Sequence, residues 1–144
     1  MFANLLVATA MVAVTVLFHF WGLLNLTGVM GRHRARLRPH QSKAGSAILL
    51  LLVVFGVFAL HTVEIWAYAV TYRVLGETSG FEEALYFSTA TFASLGYGDV
   101  VLSAKWRLLS AIEGANGVIL FAWSTAFLLS VTSRIKSFEH NWLG

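Results

Sequence analysis

The sequence predicts an all-α membrane protein with three transmembrane helices, one shorter re-entrant helix and a polar loop behind it. Three observations carry this reading. Hydrophobic residues make up 58% of the 144-residue chain, and its mean hydropathy is +0.73, far more apolar than an average soluble domain. The apolar residues fall in three runs, each able to cross the hydrocarbon core at about 20 helical residues per crossing. Between the second and third runs stands the stretch Thr91-Phe92-Ala93-Ser94-Leu95-Gly96-Tyr97-Gly98-Asp99. Irregular backbone at membrane depth is tolerated only where protein buries it or where it lines a water-filled path. The length leaves no room for a sizeable soluble domain, and the lack of cysteine excludes a disulfide framework.

The first helix is assigned to residues 1–31, because Phe2 to Met30 contains no Asp, Glu, Lys or Arg. A signal peptide would have a basic start and a shorter apolar core. Ala8-Thr9-Ala10 imitates a cleavage site, but the apolar run continues well past it. His19, Asn25 and Thr27 are polar guests expected to face a neighbouring helix, while the helix as a whole is expected at the periphery, against lipid. Residues 32–43 form a basic linker with Arg32, Arg34, Arg36, Arg38, Lys43 and the chain's one proline, Pro39. Short basic loops stay cytoplasmic, which places the N-terminus outside and the C-terminus in the cytoplasm, in an integral protein of the plasma membrane. Arg134 and Lys136 fall on the same side, so seven of the ten basic residues agree. Arginines at every second position of a polar linker suit a solvated loop that binds anionic lipids at Arg32, Arg34, Arg36 and Arg38, whereas a voltage sensor would lie within the membrane. Basic residues placed between spans rather than on a soluble face argue against a nucleic-acid partner.

The second span runs from Ala44 to about Val70, with Trp66, Tyr68 and Tyr72 marking its outer interface. His61 and Glu64 share one helical face. That is half of a metal-site pattern, and Glu113 is the one plausible intramembrane addition. The expected role is a hydrogen-bonded structural pair, with no transition metal, no cofactor and no enzymatic activity. The alternative is an intramembrane metalloprotein using His61, Glu64 and Glu113. Arg73 to Gly80 is an external turn in which Ser79 and Glu82 match a capping box. Phe81 to Phe92 follows, too short to span a bilayer and therefore re-entrant. The third span extends from Lys105 to about Ser133, with Trp106 at its outer interface, and residues 135–144 form a short tail. Glu113 is the costliest residue if charged. It is expected as a protonated or hydrogen-bonded acid behind the short helix, with Ser88, Thr89 or Thr91 as partner.

Ser94-Leu95-Gly96-Tyr97-Gly98-Asp99 resembles the selectivity-filter signature of tetrameric potassium channels. The resemblance covers residues 44–134, in the order outer helix, capped pore helix, filter and inner helix, and omits the first helix. It implies that the carbonyls of Ser94, Leu95, Gly96 and Tyr97, with the Ser94 hydroxyl, replace the hydration shell of K+. Glycines at alternate positions permit the positive φ that this needs, and Leu95 and Tyr97 face backward. The implied support of the filter comes from Tyr86 and Phe87 packed around Tyr97, with Thr91 and Glu113. Gly117 stands at the gating-hinge position of the inner helix, and Val118, Phe121, Thr125 and Leu129 line the inner cavity. Three departures matter. Ser94 and Leu95 stand where the family usually has threonine and valine or isoleucine. Ala90 stands where some bacterial channels have a glutamate that pairs with the aspartate after the filter, so Asp99 lacks that partner. One filter sequence per chain requires four copies around the pore, a homotetrameric, fourfold channel. The implied function is passive, potassium-selective conduction. A weakly selective cation pore and a non-conducting partner subunit with a vestigial filter remain as alternatives.

Overall fold

The computed structural model describes residues 2–37 and 43–140, which form four helices: α1 (Phe2–Leu37), α2 (Lys43–Val74), α3 (Phe81–Phe92) and α4 (Arg107–His140). Stretches Phe2–Arg32, Ala44–Val74 and Arg107–Ser133 are long and apolar enough to cross a membrane. The chain is thus an all-α membrane protein. α2 packs against α1, α3 and α4, and α4 also packs against α1 and α3.

Each long helix buries one stripe and turns the rest of its apolar surface outward. On α2 the buried stripe is Leu49, Val53, Val57, His61, Glu64, Tyr68 and Tyr72, at the three- and four-residue spacing of one helical face. α4 buries Leu109, Glu113, Asn116, Leu120 and Ser124 in the same way. Leu17 and Trp21 on α1, Phe55 and Phe58 on α2 and Ile119 on α4 are exposed, as suits helices whose outer solvent is lipid. Polar residues therefore collect inside the bundle. Without a hydrophobic force between helices in lipid, such hydrogen bonds and close packing supply the association.

The first helix packs on α2 and α4 through one face and turns the rest of its apolar surface outward. α1 buries Asn4, Ala8, Thr15, His19 and Leu23. The Asn4 amide donates to the Lys105 carbonyl, and the Asn116 amide donates to Thr15 Oγ1 over 2.8 Å. A Cβ on Gly22 would overlap the Leu60 side chain, and one on Gly56 would overlap Leu26. Small residues thus let α1 and α2 interlock. α1 also runs six residues past the expected boundary at residue 31, to Leu37. Arginine and leucine are good helix formers, and the first strong breaker in the sequence is Pro39. Arg32 is exposed; the expected lipid contacts of Arg34, Arg36 and Arg38 lie outside the described side chains. The aromatic anchors are corrected too. Trp66 is half-exposed, but Tyr68, Tyr72 and Trp106 are buried in the core.

α3 begins one residue later than the predicted box. Its N-cap is Gly80 with extended backbone and no side-chain cap, which makes Glu83, not Glu82, the third helical residue. Glu83 Oε2 accepts from both the Ser79 amide and the Ser79 hydroxyl at 2.7 Å. The hydroxyl and then the amide hold the Glu83 carboxyl below its usual range. Glu77 accepts from the amide and hydroxyl of Ser103 at 2.7 and 2.9 Å. This fixes the loop before α3 to the loop after the glycine-rich stretch.

Candidate functional site

The site begins where α3 stops. The Ser94 amide donates to the Thr91 carbonyl (2.8 Å) and the Leu95 amide to the Ala90 carbonyl (2.8 Å), the paired bonds of a Schellman helix end. Ser94 takes the left-handed position, with φ +56°. Serine lacks a β-branch, so it adopts this backbone at less cost than threonine would. Gly96 follows with φ +59° and Gly98 with φ +77°. Positive φ thus recurs at 94, 96 and 98, while Leu95 and Tyr97 keep the ordinary sign. Such alternation turns successive peptide units in a way that a regular strand or helix does not. Residues 93–99 are all exposed in the single chain.

The loop rests on the other elements at a few defined points. The Ser94 hydroxyl lies 3.4 Å from the Gly114 carbonyl on α4. Gly114 itself would bring a Cβ to 3.3 Å from the Thr91 carbonyl. Phe92 is fully buried, and a Cβ on Gly117 would overlap its carbonyl group. Gly117 therefore serves close packing of an unbroken α4 against the end of α3. Tyr86 and Phe87 do not act as a pair. Phe87 turns inward, edge-on to Tyr72 with ring centroids 5.2 Å apart, and Tyr86 donates its hydroxyl to Asp99 Oδ2 at 2.6 Å. Asp99 thus has a partner despite Ala90, supplied one helical turn earlier in α3. That bond holds the Asp99 carboxyl below its usual range. Its contribution is present above the ordinary carboxylate pKa and is lost as pH falls through the depressed value. Asp99 is the chain's single aspartate, so carboxyl-carbon NMR of aspartate-labelled protein follows it alone. In Tyr86→Phe the midpoint is expected to move up toward the ordinary value; an unmoved midpoint would remove Tyr86 as the cause.

Glu113 is fully buried behind α3. Its Oε1 lies 2.5 Å from Ser88 Oγ, and its Oε2 accepts from the Tyr72 hydroxyl. Ser88 Oγ is also 2.9 Å from the Ile65 carbonyl. Three hydrogen bonds require three protons, of which the two hydroxyls supply two. The count closes when Glu113 carries its own proton and donates it to Ser88, which then donates to Ile65. Ser88 was among the expected partners; Tyr72 was missed, because a tyrosine near a span's end reads as an interface anchor. Glu113→Gln keeps one donor and one acceptor at the same places. It is expected to fold and assemble nearly as wild type, whereas Glu113→Ala leaves the buried Tyr72 hydroxyl unpaired at about 1–3 kcal/mol and leaves Ser88 only its bond to the Ile65 carbonyl. Thermal unfolding in detergent checks this, and equal stability of the two variants would contradict it.

Of the proposed inner-helix residues, Val118 and Leu129 are largely exposed, and Phe121 is partly so. The Thr125 hydroxyl is bonded back to the Phe121 carbonyl at 2.8 Å. Phe121 and Thr125 also border a cavity of about 520 Å³ between α2, α3 and α4, together with His61, Thr62, Thr89 and Ser124. The triad His61, Glu64 and Glu113 is not assembled. His61 and Glu64 meet His19 and Ser124 instead, while Glu113 is bound to Tyr72 and Ser88.

A short helix ending on a glycine-alternated loop thus lies between two helices long and apolar enough to cross a membrane. The family described as ion channel matches residues 47–134, which is more than half of the chain, and the chain belongs to that family. Among curated proteins it is similar to the uncharacterized membrane protein YdjJ of Bacillus subtilis (strain 168), with 30% identity over 101 residues. These are 66% of this chain and 30% of that protein. It is also similar to two-pore potassium channel 4 of Arabidopsis thaliana, with 35% identity over 66 residues, 45% of this chain and 22% of that one. The chain thus matches less than a third of the length of either relative. No solved structure matches it.

Proposed function

We propose that this ion channel is potassium-selective and that four identical chains form it, with Ser94, Leu95, Gly96 and Tyr97 lining a filter through which K+ passes as cargo. The observation that carries the proposal is the recurrence of positive φ at Ser94, Gly96 and Gly98 directly at the end of a half-buried helix. In that setting successive carbonyls turn toward one axis and stand in for the ion's water. The C-terminal end of α3 adds its negative dipole, worth about 0.3–1 kcal/mol per helix for a cation. Exposure of the whole loop in one chain fits a surface that three further copies cover. One relative matching part of this chain is itself described as a potassium channel. Val118, Phe121, Thr125 and Leu129 line the path on the inner side. Orientation in the plasma membrane follows the basic residues, with the N-terminus outside, and anionic lipids sit against Arg32 and its neighbours.

Flux from liposomes tests the reading. Potassium-loaded vesicles containing the protein are expected to release K+ far faster than sodium-loaded vesicles release Na+. Equal rates would make it a weakly selective cation channel. No flux from a folded, correctly inserted tetramer would make it a non-conducting subunit.

A further inference from the structure

Four polar side chains from three helices meet inside the bundle, apart from the filter loop and from Glu113. His19 Nδ1 lies 2.8 Å from Glu64 Oε1, and His61 Nδ1 lies 2.8 Å from Glu64 Oε2. The far edges of both rings converge on Ser124, with Nε2 to Oγ distances of 3.0 Å for His61 and 3.3 Å for His19. The result is a closed ring of four hydrogen bonds: Glu64, His19, Ser124, His61 and back to Glu64. All four residues are buried, and none of their polar atoms is among the unpaired ones.

The ring fixes its own proton count. Four hydrogen bonds need four protons. Two neutral imidazoles bring one each and the Ser124 hydroxyl brings a third, so one bond stays empty unless the cluster holds a further proton. Charge gives the same number. With three protons the cluster is −1 and with four it is neutral, and an uncompensated charge in a membrane interior is costly. Hydrogen bonding and electrostatics thus converge on four protons, held either by a carboxylate, one imidazolium and one neutral imidazole or by a carboxylic acid and two neutral imidazoles.

We propose that His19, Glu64, His61 and Ser124 form a proton-binding site that fastens α1 and α4 to α2, and that losing its fourth proton unfastens them and changes conduction. The second half rests on the channel reading above; the first does not. The step is the transfer of the fourth proton, from imidazolium nitrogen or carboxyl oxygen, to hydroxide or buffer base. The bonding pair stays on the atom that held the proton, the cluster goes from neutral to −1, and one contact of the ring is left without a proton. His61 and Ser124 border the cavity between α2, α3 and α4, which gives the proton a way in. The ring also touches the pore scaffold. His61 lies 4.6 Å from the Phe121 ring and 5.9 Å from the Phe92 ring, and Phe92 closes α3 two residues before Ser94. Other ionisable groups nearby are few. α1 presents no second one among its buried residues, and α3 presents Phe92. On α2, Tyr68 stands one turn beyond Glu64, in hydrogen bond with Asn116. On α4, Glu113 lies eleven residues from Ser124, about 16 Å along the helix, and is bound to Tyr72 and Ser88.

Nitrogen NMR of the histidine-labelled full chain in lipid nanodiscs reads the site directly. The chain has five histidines, and His19→Gln and His61→Gln assign the two that matter. The expected result is that both rings change together in one step as pH rises, with loss of one proton from the cluster. Ser124→Ala, which leaves both rings in place, is expected to split that step into two. Liposome flux should change severalfold across the same pH step in wild type and stay flat in His19→Gln/His61→Gln. Rings that titrate independently in wild type, or rings holding stoichiometric Zn²⁺ in place of the proton, would overturn the site. A pH step in flux that survives both Ser124→Ala and the double variant would overturn its link to conduction. Absence of flux at every pH would sink the channel reading alone, since the NMR step decides the proton site without it.

Discussion

Gly96→Ala is expected to abolish potassium flux while leaving the helical bundle folded. Gly96 has φ +59°, and a left-handed backbone costs a residue with a Cβ roughly 1–2 kcal/mol. A Cβ there meets no other atom within 4 Å in the single chain, so the penalty is conformational and confined to the loop. In a fourfold pore it is paid in every copy, roughly 4–8 kcal/mol in all, enough to drive the loop to another conformation. Helical content and thermal unfolding of the variant should match wild type, and flux should fall to the level of empty liposomes. Wild-type flux in Gly96→Ala would remove the filter assignment.

Gly117→Ala is expected to strike the bundle itself. A methyl group at this position would overlap the carbonyl of Phe92 and come within 3.1 Å of its ring. Because the obstacle is backbone at the end of α3, relief requires moving the helix end or the whole of α4. Overpacking of this kind costs about 1–3 kcal/mol. Both the unfolding temperature and flux should drop. Gly28→Ala is the control, since a Cβ there meets nothing within 4 Å, and alanine in a helix is more favourable than glycine. If Gly117→Ala kept wild-type stability and changed only channel opening, the hinge reading would replace the packing one.

Much of the architecture was legible because membrane crossing is dictated by length and apolarity, which a sequence shows openly. The bend of the glycine-alternated loop was legible for a related reason. Gly96 and Gly98 at alternate positions announce a backbone that residues with a Cβ resist, and the structure gives both of them positive φ. Less visible was Ser94, whose positive φ comes from the way α3 ends and not from its residue type. The polar partners were the hardest part. Residues 61, 64, 68 and 72 follow the spacing of one face, so their shared burial could have been found in the sequence. Which helix meets that face depends on the rotation of three helices about their axes, and nothing local encodes it. Hence His61 and Glu64 pair as expected and His19 faces a neighbouring helix as expected, but its partners Glu64 and Ser124 were not foreseen, and Tyr72 was read as an anchor when its hydroxyl binds Glu113. The first helix lies outside the stretch that carries the resemblance, so of its buried polar residues His19 is expected to face a neighbour, while Asn4 and Thr15, on the same face, pass unnoticed.

The reversal potential of single channels in a planar bilayer, with potassium and sodium unequal across the two sides, tests the central claim most directly. The account predicts a reversal close to the potassium equilibrium potential, unchanged when sodium is varied on either side. A reversal near zero in opposed potassium and sodium solutions, from protein that carries intact Ser94 to Gly98, would contradict it.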